Sequence, residues 1–173
     1  HISICEAGRE GESMFQKSHV IYNGIDTQQF CPMRYEELKR DDNKYKRTVL
    51  WAGRFQDGKG VERLLAIAKS MKDCEFLIIP VQITPPYDKM LNELRKLKNV
   101  TIIDERKHEE LPRYYNMADI VINTSDTEGN GLTILEGMAC GCVPVAFSVG
   151  GIPEIITHNF NGLLVEPFNL QSF

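Results

Sequence analysis

Short, continuously apolar runs alternate with segments of helical periodicity along most of this chain. Arg47 to Ala52 predicts a strand that is apolar in its middle, and Glu75 to Ile79 a second, stopped by Pro80. Val100 to Ile103, Asp119 to Asn123, Val143 to Phe147 and Gly162 to Val165 predict others. Between them Val61, Leu64, Leu65, Ala68 and Met71 recur at helical spacing. Met90, Leu91, Leu94 and Leu97 do the same in a helix opened by Pro85-Pro86, and Glu109 to Met117 and Leu132 to Ala139 also read as helices. Strands that are apolar throughout are buried on both faces, which points to a parallel sheet covered by helices. Right-handed crossovers make that an open, doubly wound α/β sheet, and ligands of such sheets sit at the carboxyl ends of the strands. The polar stretch Arg34 to Arg47 reads as a linker or surface helix.

Composition narrows the class. With 173 residues, 42% of them apolar and 25% charged, the chain suits one α/β domain and is neither collagenous nor disordered. No run approaches about 18 apolar residues, so no transmembrane helix is predicted. Twenty Lys and Arg against 24 Asp and Glu leave a net charge of -4, which is no footprint for nucleic acid but leaves room for a local phosphate site. Cys5, Cys31, Cys74, Cys140 and Cys142 are odd in number and irregularly spaced. They are expected as small buried residues in a reducing compartment rather than a disulfide framework or zinc site. Asn99-Val100-Thr101 and Asn123-Thr124-Ser125 match the glycan acceptor pattern, but both abut predicted strands and are expected to be chance matches. A start at His1 and an end at Gln171-Ser172-Phe173 suggest a piece of a longer protein.

Three glycine-bearing turns fall at the same predicted sheet edge. In Gly53-Arg54-Phe55-Gln56-Asp57-Gly58-Lys59-Gly60, glycines let backbone approach a ligand, Arg54 can fork onto phosphate oxygens, and Lys59 adds a point charge. A tight turn with two solvated cations reads the same residues without a ligand. The segment nearly matches a P-loop, but Gly60 stands where the Mg²⁺-ligating hydroxyl belongs. In Ser125 to Glu136 the chain passes from strand to helix, with Glu128 in the turn and Glu136 about one helical turn in. Their carboxylates suit sugar hydroxyls; compensation of the helix start and an exposed face explain them equally well. Val149 to Glu154 supplies the third turn. His1, His19, His108 and His158 form no constellation, and no spacing suggests a nucleophilic triad or a bound metal.

At these residues the chain resembles the retaining glycosyltransferases of family 4, and within them the C-terminal, nucleotide-sugar-binding half of the two-domain GT-B fold. The resemblance starts near Val20-Ile21-Tyr22-Asn23-Gly24-Ile25-Asp26, followed by Phe30 and Pro32. It continues through Gly53-Arg54, Lys59-Gly60, Leu111 to Asp119 and Glu128 to Glu136. Gly150-Gly151-Ile152-Pro153-Glu154 and Asn161 to Val165 close it. It implies a Rossmann-like donor-binding domain over residues 32–173, truncated at its C-terminus. Residues 1–31 would be the end of a preceding domain and the linker. By the resemblance Arg54 and Lys59 bind the donor diphosphate and stabilise its leaving charge, Glu128 faces the donor sugar, and Glu136 accepts the ribose hydroxyls. Gly53 and the backbone of Asn130, Gly131, Leu132 and Thr133 border the phosphates. No metal and no cofactor are implied; a nucleotide-diphosphate sugar is the substrate. The turns Pro80 to Pro86 and Asp104-Glu105-Arg106 and the residue Asn130, where relatives usually have an aromatic, depart from the family pattern. The acceptor, a glycan or lipid-linked molecule, would be bound by a domain elsewhere in the same chain or on a partner subunit. The resemblance thus implies a cytoplasmic enzyme, with membrane contact at the cytosolic face through that other half. The 173-residue piece would bind donor without turnover. The alternative is a non-catalytic nucleotide-sugar-binding module or one subunit of a split enzyme.

Overall fold

The computed structural model describes residues 2–3, 19–34 and 46–173. Cys5 and most of the expected linker, 35–45, lie outside them. A short parallel pair, β1 (Ile2–Ser3) and β2 (His19–Val20), precedes the main sheet. The rest runs β3 (Arg47–Phe55), α1 (Val61–Ser70), β4 (Cys74–Ile83), α2 (Tyr87–Leu94), β5 (Val100–Ile102), a 3-10 turn (His108–Glu110) and α3 (Leu111–Met117). It continues with β6 (Ile120–Asn123), α4 (Leu132–Ala139), β7 (Val143–Phe147), α5 (Ile152–Ile155) and β8 (Leu163–Val165).

The sheet order is β5-β4-β3-β6-β7-β8, and every neighbouring pair is parallel. This is the expected doubly wound arrangement. Successive residues of each central strand feed opposite cores. Val49 and Trp51 of β3 with Phe76 and Ile78 of β4 pack beneath α1 and α2. Leu50, Leu77 and Ile79 pack beneath α3, α4 and α5 with Tyr115, Ile134 and Ile152. Strand order reverses between β3 and β6, so the carboxyl ends of those two strands frame the crevice where such folds take ligands.

Two strand ends correct the reading from sequence. β4 does not stop at Pro80 but runs to Ile83. Phe76 N–H and the Ile78 carbonyl point toward β5, bonding Asn99 O at 2.8 Å and Ile103 N at 2.8 Å. Pro80, two residues on, shares that orientation but lies past the end of β5, so its missing N–H forfeits no ladder bond. The extended β4 gives β3 a longer partner: Gly53 pairs with Pro80 and Arg54 with Val81, and these two are strand residues rather than the start of a turn. Gln82, at φ 47, is the extra residue of a bulge between the pairs Arg54–Val81 and Phe55–Ile83.

The side chains treated as bland are buried. Cys74, Cys140 and Cys142 are free and buried, and Cys31 is partly so. Burial pushes the Cys140 thiol up to about 11 and the Cys142 thiol to about 12. Asn99 and Asn123 are buried too; Asn99 Nδ2 reaches the carbonyls of Ala68, Met71 and Cys74 at 3.1–3.2 Å. Phe30 is buried against α3, 5.9 Å from the Tyr115 ring, and Asn116 ties Cys31 O and Met33 N to the same helix. Among the described residues no helix is long and apolar enough to cross a membrane.

Candidate functional site

The turns after β3 and β6 are stitched together at the switch point. Thr124 Oγ1 donates to Lys59 O at 3.0 Å and accepts from Trp51 Nε1 at 3.1 Å. Arg63 of α1 donates to Thr124 O at 3.0 Å and pairs with Asp126, whose N–H reaches Gly58 O at 2.9 Å. The contact is so close at Gly60 (φ 64) that a Cβ there would lie 1.8 Å from Thr124 O. This explains glycine where a P-loop carries its hydroxyl: any side chain at the position would run into the β6 turn. A second close approach fixes the far side, where a Cβ on Gly150 would lie 2.1 Å from Glu128 O and Gly151 N donates to that carbonyl at 2.8 Å. Of the three glycine turns predicted to share an edge, the second thus touches both of the others.

Between the first two lies a cavity of about 440 Å³. Of the residues expected to bind donor, all but Glu136 line it: the strand end Gly53-Arg54, Lys59, Glu128, and the run Asn130 to Thr133 at the start of α4; the third turn, Val149 to Glu154, does not. Gly131 O takes the N–H groups of Ile134 and Leu135, so the first amides of α4 are left to the cavity side of the helix start. Lys59 Nζ donates to Glu128 Oε2 at 2.9 Å, both side chains about four-fifths buried. Asn123 Nδ2 approaches the same carboxylate oxygen at 3.3 Å, while its Oδ1 accepts from Ser125 N at 2.9 Å. The site therefore presents Lys59, held by its ion pair, an exposed Arg54, a helix start and one carboxylate at the end of a parallel sheet. That combination can hold a multiply charged anion and engage hydroxyls beside it.

Glu136 sits apart from this lining, one turn further along α4 and 6% exposed. Tyr115 OH donates to its Oε2 at 2.8 Å, and His108 Nε2 lies 2.9 Å from its Oε1. Burial, and then the Glu136 carboxylate, push the Tyr115 phenol well above its ordinary range, so it stays protonated and donates. His108 is largely exposed and also packs on Phe30, with ring centres 5.0 Å apart. The sequence gives no sign of this pair: Tyr115 and His108 lie 21 and 28 residues from Glu136 and meet it through the α3–α4 packing. Asn123 was also missed. Its place at the end of β6 was the available signal, because strand ends face the crevice. Asn23, from the segment before Phe30, reaches the cavity rim as well. Among the described residues no group of three or more His, Cys, Asp or Glu side chains could hold a metal ion.

The family model described as Glycosyl transferases group 1 matches residues 35–173. An uncharacterized glycosyltransferase of Methanocaldococcus jannaschii is 28% identical over 160 residues, covering 91% of this chain and 42% of that protein. The C-terminal domain of a glycosyl transferase group 1 family protein (LpcC) from Francisella tularensis superposes with TM-score 0.68 at 30% identity, over 86% of this chain and 83% of that one. Sucrose-phosphate synthase from Thermosynechococcus elongatus shares the fold with TM-score 0.86 at 24% identity, over 99% of this chain and 46% of that one. The chain spans about two fifths of the length of the curated relatives it matches.

Proposed function

The chain belongs to the glycosyl transferases group 1 family, and from that premise we propose that it is the donor-binding domain of a retaining, family 4-like GT-B glycosyltransferase. The observation that carries the reading is the convergence of Arg54, Lys59, Glu128 and the start of α4 on one cavity at the switch point of the sheet. A nucleotide-diphosphate sugar fits those groups. Its diphosphate meets Arg54, Lys59 and the α4 amides, and its sugar lies toward Glu128. Glu136 takes the ribose hydroxyls, giving up its His108 contact while Tyr115 holds the carboxylate in place. As the glycosidic bond to the diphosphate breaks, negative charge grows on the leaving phosphate, and pre-placed cations and amides stabilise it more than the ground state. These groups supply positive charge where other transferases use a divalent ion, so we assign a metal-independent site. The acceptor, a glycan or lipid-linked molecule, falls to a preceding domain that ends within residues 1–31, or to a partner subunit. The chain by itself binds donor without transferring it.

Calorimetric titration of the 173-residue chain with UDP, GDP and ADP, each with and without EDTA, tests the reading. Saturable binding of one of them, unchanged by EDTA, is expected. Binding that appears only with added Mg²⁺ overturns the metal-independent site, and binding of none overturns the donor-domain assignment.

A further inference from the structure

Glu136 carries two contacts of opposite character. Tyr115, wholly buried, donates to its Oε2 at 2.8 Å from inside the core. His108 covers its Oε1 at 2.9 Å from the surface, with 63% of its own side chain exposed. A carboxylate only accepts, so Nε2–H is the donor in that contact. Both oxygens are thus taken within the chain, and Glu136 is missing from the cavity lining although it lies one turn beyond Thr133, which belongs to it. The asymmetry decides which partner can yield. Tyr115 could leave only by opening the core. An exposed pair holds weakly, and rotation about its side-chain bonds takes the His108 ring out into water. The backbone beneath need not follow. Gln29 Nε2 donates to His108 O at 3.2 Å, and Asp26 Oδ1 takes the N–H groups of Gln28 and Gln29 at 2.8 and 3.2 Å. Lys107 N–H donates to Glu110 Oε2 at 3.0 Å. The ring therefore pivots on a turn clamped by its own residues and by the segment before β3.

We propose that His108 is a gate on Glu136: its ring occupies the carboxylate oxygen that the nucleotide ribose takes, and swings out when a nucleotide binds. This rests on the donor-binding reading above and adds an internal competitor to it. The competitor acts only against ligands that use Glu136. A nucleotide must break the His108 contact before its ribose hydroxyls donate to Oε1, so its affinity is lowered by the fraction of molecules in which the gate is shut. A ligand made of phosphates alone meets Arg54, Lys59 and the α4 amides and leaves the gate as it is. With the gate shut, the buried carboxylate keeps a donor on each oxygen.

The test titrates wild type, His108→Ala, Glu136→Ala and the double variant with UDP, GDP and ADP, and with inorganic pyrophosphate, which has no ribose. His108→Ala is expected to tighten the nucleotide that wild type binds about threefold, the scale of an exposed pair, and to leave the affinity for pyrophosphate unchanged. In the Glu136→Ala background the His108 substitution should change neither. A histidine ring-proton resonance that is absent from His108→Ala should shift in wild type on adding nucleotide and stay in place on adding pyrophosphate. If His108→Ala does not fold, His108→Asn, whose shorter amide falls short of Glu136, is measured in its place. Weaker nucleotide binding by His108→Ala would overturn the proposal by making the ring a holder of nucleotide, and unchanged binding would overturn it outright. A gain that persists without Glu136 would overturn it as well. Failure of wild type to bind any nucleotide would instead remove the donor-site reading and this proposal with it.

Discussion

The ammonium of Lys59 and the carboxylate of Glu128, 69 residues apart in sequence, meet at 2.9 Å across the switch point of the sheet. The pair joins the turn after β3 to the turn after β6 at the wall of the cavity. Lys59 is held in place by its partner, and under the proposed function an incoming diphosphate shares it with Glu128.

Neutralising the carboxylate should therefore help the nucleotide. Glu128→Gln is expected to tighten the Kd for the bound nucleoside diphosphate about threefold to tenfold, a modest gain for a partly screened charge. Lys59→Ala should weaken it at least about tenfold. Calorimetry on the two variants checks both. Comparable weakening by the two would mean that Glu128 serves chiefly to position Lys59.

Gly60 separates this site from a P-loop. Gly60→Ser restores the hydroxyl of that motif but drives a Cβ into Thr124 O at a left-handed φ of 64. Urea denaturation should show a loss of about 3 kcal/mol, the range of severe backbone clashes, and added Mg²⁺ should not improve nucleotide binding. A stable variant with Mg²⁺-dependent binding would favour phosphotransferase chemistry.

Tyr115 is predicted to act on the nucleotide through Glu136. Tyr115→Phe strips one donor from a buried carboxylate and should destabilise the fold by about 1 to 3 kcal/mol. Glu136→Ala should weaken the nucleoside diphosphate about tenfold by removing the ribose acceptor. Denaturation and titration measure the two effects separately. A Glu136→Ala chain that binds nucleotide as wild type does would disconnect Glu136 from the ribose.

Alkali should unfold the domain through its thiols. Cys140 and Cys142 are raised from 9.0 to about 11 and about 12 by burial, so the unfolded chain releases their protons first. Their contribution is whole below pH 9 and is lost as pH rises through 11 and 12. The urea midpoint should fall steadily above pH 9, and Cys142→Ala should flatten part of that fall. In the native protein at pH 8, Cys140 and Cys142 should resist alkylation that Cys31 accepts.

Much of this architecture was legible because burial on both faces writes itself into a strand as a continuous apolar run. The alternation with amphipathic segments such as Val61 to Met71 then implied crossovers, and the crossovers implied a ligand edge. Gly53, Arg54, Lys59 and Glu128 were found because glycine, charge and strand ends coincide there. What stayed hidden depends on neighbours distant in sequence. Pro80 read as a strand stop because its harmlessness depends on where β5 ends. Whether Glu136 served sugar hydroxyls or an exposed helix face stayed open, because Tyr115 and His108 meet it only through packing of α3 and the turn before it on α4.

Trp51 offers the most direct measurement. It is the only tryptophan of the chain, it lines the cavity, and its indole N–H donates to Thr124. Titration with UDP, GDP and ADP should change its fluorescence saturably for one nucleotide, in EDTA, and Lys59→Ala should shift that curve at least about tenfold. Emission that no nucleotide alters, or a response indifferent to Lys59, would contradict a donor site at the switch point of this sheet.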